Sequence, residues 1–278
     1  MKKLLALLLG IAMLLSFTAC FDDWDDDDYD DYGDNGDDDY SYDEGNADSA
    51  ESFINKIKSD YSIILQDNGN YLSSSRGRHY MNEIEHALSL FSPAFIKKLV
   101  TEVAEFGDDI YLILDVSETG EETGLIEWDD NGLIISLYYE RDPEDCGIDV
   151  ATLAHELGHA VHFIIEEFIG EEQSEIEITA FNGSFSYVGD TYDFDWDEAI
   201  HATTFAYDYG MSEYYEDIST IFEYLASKPD EMYTRFIDPN NEPLLLKTQY
   251  IREITYMYIS SDCFLLFAPL YNAEEYLR

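Results

Sequence analysis

The run His155-Glu156-Leu157-Gly158-His159 carries residue types whose spacing dictates a chemistry. On a helix, residues four apart lie about 40° from one another around the axis. His155 and His159 would therefore project from one face, one turn apart, and could place two imidazole nitrogens on a single divalent ion. Glu156, beside them, would point toward the remaining coordination position. Its carboxylate could take a proton from a water there and pass it to a leaving amine. Zn2+ suits this donor set, and its Lewis acidity brings the pKa of such a water near neutral. Ala154, Gly158 and Ala160 keep the helix slim, so another element can approach closely. His162 shares the face, and reads as a packing or supporting residue rather than a ligand.

Two imidazoles need a third protein ligand. The metzincin spacing would require Gly at 162 and His at 165; the chain has His162 and Ile165, which excludes that subclass. A glutamate is the natural alternative. Glu175 and Glu177 stand at a distance from the histidines like that in thermolysin-like enzymes. However, Ser174 to Thr179 alternates like a strand and lacks the Asn-Glu pair of that class. Glu216 opens a strongly helical segment, Tyr215 to Leu225, in which Ile218, Ile221, Phe222 and Leu225 share a face. An acid beside such a stripe is either solvated or reaching a cation, which makes Glu216 the leading candidate and leaves Glu175 and Glu177 as alternatives.

Around these residues the elements read as follows. Helical periodicity covers 51–65, 79–91 and 94–105. Apolar runs at Tyr111–Leu114, Leu125–Trp128 and Leu133–Tyr139, separated by glycine-rich turns and by Asp130-Asn131-Gly132, predict a small sheet. The strand at 133–139 immediately precedes the motif helix, and could accept an extended peptide by edge pairing. Asp149 is a fitting N-cap for a helix from about 150 to 168. Beyond Gly170, residues 185–192 read as strand and turn, 196–207 and 213–227 as helix, and 241–259 as a long closing helix. Helices dominate and the sheet sits in the N-terminal half, an α+β arrangement.

The stretch from about 79 to 260 resembles the bacterial zinc-binding metallopeptidases, many of them lipoproteins. These are distant relatives of the lethal-factor-like gluzincins, which include Pro-Pro endopeptidases. The resemblance rests on Leu88-Ser89-Leu90-Phe91-Ser92-Pro93, the strand at 133–139, His155 to His159, Phe185-Ser186-Tyr187, and Tyr209-Gly210-Met211 leading into Glu216-Asp217. It implies a zincin-like domain and zinc-dependent hydrolysis of peptide bonds. It further implies Glu216, first acid of an E-x-x-x-E helix, as third ligand, and Tyr209 as the donor that assists the tetrahedral intermediate. A phenol placed there would stabilise negative charge building on the former carbonyl oxygen. The chain departs from the pattern at Thr220, where the resemblance implies a second Glu that orients a ligand; Glu223 or Asp217 are candidates for that task.

The N-terminus and the charge bound the setting. Lys2 and Lys3, an apolar run Leu4–Leu15, and Ser16-Phe17-Thr18-Ala19-Cys20 are laid out as an export signal. Its end resembles a bacterial lipobox, with Cys20 as the lipidated residue, so 1–20 is expected to be a signal and the protein to sit outside the cytoplasm, anchored to the membrane. Residues 21–50 hold 15 acidic residues and few aliphatic ones, an acidic spacer expected to form no packed structure. Residues 51–278 then form a single domain. Outside the signal and the spacer, 12 basic and 46 acidic residues remain, a balance that repels nucleic acid and favours cationic peptides or divalent ions. The competing reading is a surface lipoprotein, weakly active or inactive, that binds cationic peptides or divalent ions. Export would permit a Cys146–Cys263 disulfide, and two buried thiols fit the sequence equally well.

Overall fold

The computed structural model describes residues 44–107, 110–117, 124–138, 148–189 and 201–277. The signal, the Cys20 lipidation site and Cys146 lie outside the described residues. Cys263 is a free, buried thiol. No described helix is long and apolar enough to cross a membrane.

The first helix, α1 (Glu44–Tyr61), begins inside the stretch expected to hold no packed structure. Ala50, Phe53, Ile57 and Tyr61 recur every three or four residues and are all buried, so an apolar stripe overrides the acidity of its start. The helix stops short of the expected residue 65. Ser62 takes a positive φ of 63°, and Ile63 and Leu65 then bury alternately, as a strand requires. Ile64–Gln66 is strand β1. Helices α2 (Gly77–Phe91) and α3 (Pro93–Ala104) meet at Ser92, whose hydroxyl accepts from the Phe95 amide at 3.2 Å.

Three further strands, β2 (Tyr111–Ser117), β3 (Gly124–Asp129) and β4 (Gly132–Tyr138), complete a sheet of order β1-β2-β4-β3. β1 and β4 run parallel to β2, and β3 is antiparallel to β4. The hairpin turn is held by the Asp129 carboxylate, which accepts from the amides of Asn131 at 2.6 Å and Gly132 at 3.0 Å. Only glycine fits at 132: φ is +148°, and a Cβ would fall 1.9 Å from the Tyr111 carbonyl oxygen. This order corrects the expectation that the strand at 133–139 offers an edge. β4 is paired on both sides, and the outer strand beside it is β3.

Helix α4 (Val150–Ile169) carries the histidines. It starts as expected at Asp149, whose carboxylate accepts from the Thr152 amide at 2.7 Å. Leu153, Ala154, Leu157, Ala160, Val161, Ile164 and Ile165 are all buried, because α4 is central, touching β3, β4, α2 and α3 as well as later helices. Residues 174–179, expected as a strand, form part of α5 (Glu171–Thr179). Ser174 and Ile178, four apart, are buried while Ile176 is exposed, so burial follows a helical period.

After α5 come a 3-10 turn at Tyr209–Met211, α6 (Tyr214–Ser227), α7 (Pro229–Ile237), α8 (Glu242–Tyr258) and α9 (Ala268–Tyr276). The strand expected from 185 is irregular chain through 189, held by Val188 and Gly189 amides donating to the carbonyls of Met211 and Ser212. Residues 190–200 lie outside the described residues. Residues 202–207, expected as helix, are turns and bends, because α7 and α8 donate to the carbonyls of 202–206, to which amides four residues on would otherwise donate in a helix. Among the described residues the architecture is mostly helical with one small sheet, an α+β fold.

Candidate metal centre

Gly158, between the two histidines, lets α6 lie directly on α4. A Cβ at 158 would stand 3.0 Å from the Ser219 Cα and 3.2 Å from the Phe222 Cβ. That approach brings Glu216, one turn before Ser219, over the histidine face. The His155 Nε2 lies 3.0 Å from the Glu216 Oε2 and 3.1 Å from the His159 Nε2, and the His159 Nε2 lies 3.3 Å from the same Glu216 oxygen.

Three basic atoms thus converge on one point, and their donor chemistry fits zinc. Ligand atoms about 2.0–2.1 Å from a tetrahedral Zn2+ stand roughly 3.3 Å apart, close to the three spacings found. Among the described residues, His155, His159 and Glu216 are the group of His, Cys, Asp and Glu side chains able to hold a metal together. Glu175 is exposed. Glu177 accepts from the Tyr250 hydroxyl. Neither joins the group.

The His155 Nδ1 lies 3.1 Å from the Glu223 Oε2. In the neutral ring, a proton on Nδ1 donated to Glu223 would leave the Nε2 lone pair free for a metal. Glu223, one turn beyond Thr220, thus gives the His155 ring a carboxylate partner. Thr220 is fully buried, and its hydroxyl donates to the Asp217 carbonyl at 3.2 Å. The groups perturb one another. Burial alone would lower the His155 pKa, but the Glu216 and Glu223 hydrogen bonds and the Glu156 charge raise it to about 10. Burial would raise Glu216, but the bonds to His155 and His159 hold it at about 2. His159 is lowered, chiefly by burial, despite its bond to Glu216.

Glu156 is buried at 6% exposure. A Cβ on Gly124, first residue of β3, would stand 2.8 Å from the Glu156 Oε1. The missing side chain at 124 is what lets the outer strand pass over this carboxylate. The Tyr209 ring lies 5.9 Å from the His155 ring, centroid to centroid. His162 is fully packed among Phe163, Tyr214 and Tyr215. Its Nε2 is 3.0 Å from the Glu166 Oε1, near enough for ion pairing but off the line that a hydrogen bond needs.

Asp217, wholly buried, has a different task from orienting a ligand. It accepts from the Lys247 ammonium at 2.6 Å and the Tyr187 hydroxyl at 2.8 Å. Burial pushes Asp217 up and Lys247 down, and each is drawn back by the other. Gly124, Lys247 and Arg235 were not among the residues the sequence singled out. Lys247 left a trace: it falls on the buried stripe of Leu244, Thr248 and Ile251, where a lysine needs a partner.

No family model matches this chain, and no curated protein matches it. Among solved structures it is similar to a Bacteroides caccae protein described as a "putative zinc-binding metallo-peptidase". The TM-score is 0.55 at 12% identity, over 84% of this chain and 94% of that one. At that identity the likeness is one of fold.

Proposed function

We propose that this protein is a zinc-dependent endopeptidase of the gluzincin type, with His155, His159 and Glu216 as ligands of the metal. The observation that carries the reading is the triangle of ligand atoms, 3.0, 3.1 and 3.3 Å on a side, formed between two helices. Zinc held there supplies the Lewis acidity that activates a water and polarises a peptide carbonyl.

The chain's own residues do the rest. Glu156, packed beneath Gly124, accepts the proton of the attacking water and delivers it to the leaving amine. Tyr209 donates its phenolic proton as a hydrogen bond to the oxygen on which negative charge builds. Glu223 holds the His155 ring in the tautomer that binds metal. β3 pairs with β4 alone among the described strands, and an extended peptide laid along its other edge would pass Gly124 and so reach Glu156. The absence of a glutamate at 220 favours the weakly active, ligand-binding alternative. Glu223 counters it by supplying a carboxylate to the same histidine. Export through the signal, anchoring at Cys20 and a protein or peptide substrate complete the reading.

The test is zinc uptake and hydrolysis by the mature protein. About one zinc per chain should be bound at neutral pH and lost on His155→Ala, and digestion of a peptide library should stop with a chelator. Glu156→Gln should keep the metal and abolish cleavage. A protein that takes up no zinc, or a digest indifferent to chelator, sinks the proposal.

A further inference from the structure

We propose that Arg235 and Lys247 are positioning residues for Tyr209, acting through a clamp on the five carbonyls that precede it. The inference rests on the reading of Tyr209 as donor to the reacting oxygen.

The carbonyls of Ala202, Phe205 and Ala206 accept from the Arg235 guanidinium at 2.5, 2.5 and 2.6 Å. The Thr204 carbonyl accepts from the buried Lys247 ammonium at 3.0 Å, and the Thr203 carbonyl from the Leu244 amide at 3.2 Å. Five consecutive carbonyls are thus spoken for by α7 and α8. A sequence of this composition would otherwise satisfy them within a helix. The guanidinium is a planar, rigid fork, so the three carbonyls it binds are fixed relative to one another as well as to α7. Lys247 is fixed in turn by Asp217, which follows the metal ligand Glu216 in sequence. The clamp is therefore referenced to the helix that carries the metal site.

Downstream, the chain has little freedom before it reaches Tyr209. The Tyr209 amide donates to the Asp208 carboxylate at 2.8 Å, and its carbonyl accepts from the Ser212 hydroxyl at 2.8 Å. Gly210 sits on α6: a Cβ there would be 2.6 Å from the Thr220 hydroxyl and 3.3 Å from the Asp217 Cα. This seat gives Thr220 a reason. The short Thr220 side chain lies against Gly210 where the Tyr209 turn comes down onto α6, while Glu223 serves His155 from the next turn. Tyr209 is held between that seat and the carbonyl clamp, with its ring beside His155.

The experiment is a double-mutant cycle on the zinc-loaded mature protein, using a peptide recovered from a library digest. Removing one such donor typically costs about a hundredfold to a thousandfold in kcat, which is the expectation for Tyr209→Phe. Arg235→Lys keeps the charge but cannot span three carbonyls. It should lower kcat by about tenfold or more with KM and zinc Kd within about twofold. The double variant should be no more than about twofold slower than Tyr209→Phe alone, because the clamp acts through the phenol. Multiplicative losses, an unchanged kcat, or global unfolding of Arg235→Lys would each overturn the proposal. Hydrogen exchange on the zinc-free protein reads the clamp without catalysis: amides of Ala206–Ser212 should exchange faster in Arg235→Lys while those of α4 do not. A parent protein that cleaves nothing but shows this exchange pattern refutes the peptidase reading and leaves the clamp standing; an unchanged pattern refutes the clamp.

Discussion

Glu223 tests whether the proposed metal site is complete without the glutamate that position 220 lacks. Its carboxylate makes one contact that matters, 3.1 Å to the His155 Nδ1, and its side chain is 22% exposed. Glu223→Gln keeps an acceptor in place but removes the charge that raises the basicity of the ring. Glu223→Ala removes both and frees the ring to rotate or to move its proton to Nε2, where it would block the metal. Partners of this kind typically contribute about ten- to a hundredfold in metal affinity, or about 1.4–2.8 kcal/mol. Because the site is partly open to water, glutamine should sit near the lower figure and alanine near the upper. Zinc competition against a chromophoric chelator at fixed pH measures both. His155→Ala, which removes a ligand outright, sets the scale and should cost more than either. If Glu223→Ala binds zinc within twofold of the parent, the carboxylate is a bystander and the reasoning about Thr220 fails with it.

Gly158→Val should force α6 away from α4, since the added Cβ meets the Ser219 Cα at 3.0 Å. Overpacking of this kind costs about 1–3 kcal/mol, and the zinc-induced rise in melting temperature should largely vanish; a rise equal to the parent's would refute the role given to the glycine. The zinc-free protein should lose stability on the alkaline side. His155 titrates near 10 when folded and near 6.5 when unfolded, so its ion pairing stabilises fully below about pH 6.5 and fades as pH climbs toward 10. Urea midpoints at pH 6, 8 and 10 should fall along that window in the zinc-free parent, and fall less in His155→Gln; parallel declines would rule out His155 as the source.

What the sequence made legible here follows the range of the forces involved. α4 could be drawn from Asp149 to about 168 because a cap, an apolar period and a glycine stop are all local signals. Glu216 was the leading candidate for third ligand because its helix carries a regular stripe. The misreadings fall where local pattern and tertiary contact disagree. Ser174 to Thr179 alternates in sequence, yet packs by a four-residue period against the neighbouring helices. Residues 202–206 have helical composition, yet their carbonyls are claimed by side chains and an amide from 29 to 43 residues away. No window of sequence contains both partners of such a bond.

Thr220 shows the same principle at the site itself. Read alone, it is a missing acid and an argument against activity. In the fold it is one of three linked positions: Gly210 rests on it, the Tyr209 turn follows Gly210 down onto α6, and Glu223 reaches His155 from one turn further along the same helix. Each position looks neutral or damaging by itself. Together they keep a carboxylate on the His155 ring and bring a phenol beside it, through a different choice of residues on α6. A motif comparison scores positions one at a time, so it registers the lost glutamate. The compensation lies in two contacts, Gly210 on Thr220 and Glu223 on His155, that only the packing of α6 against α4 and the Tyr209 turn creates.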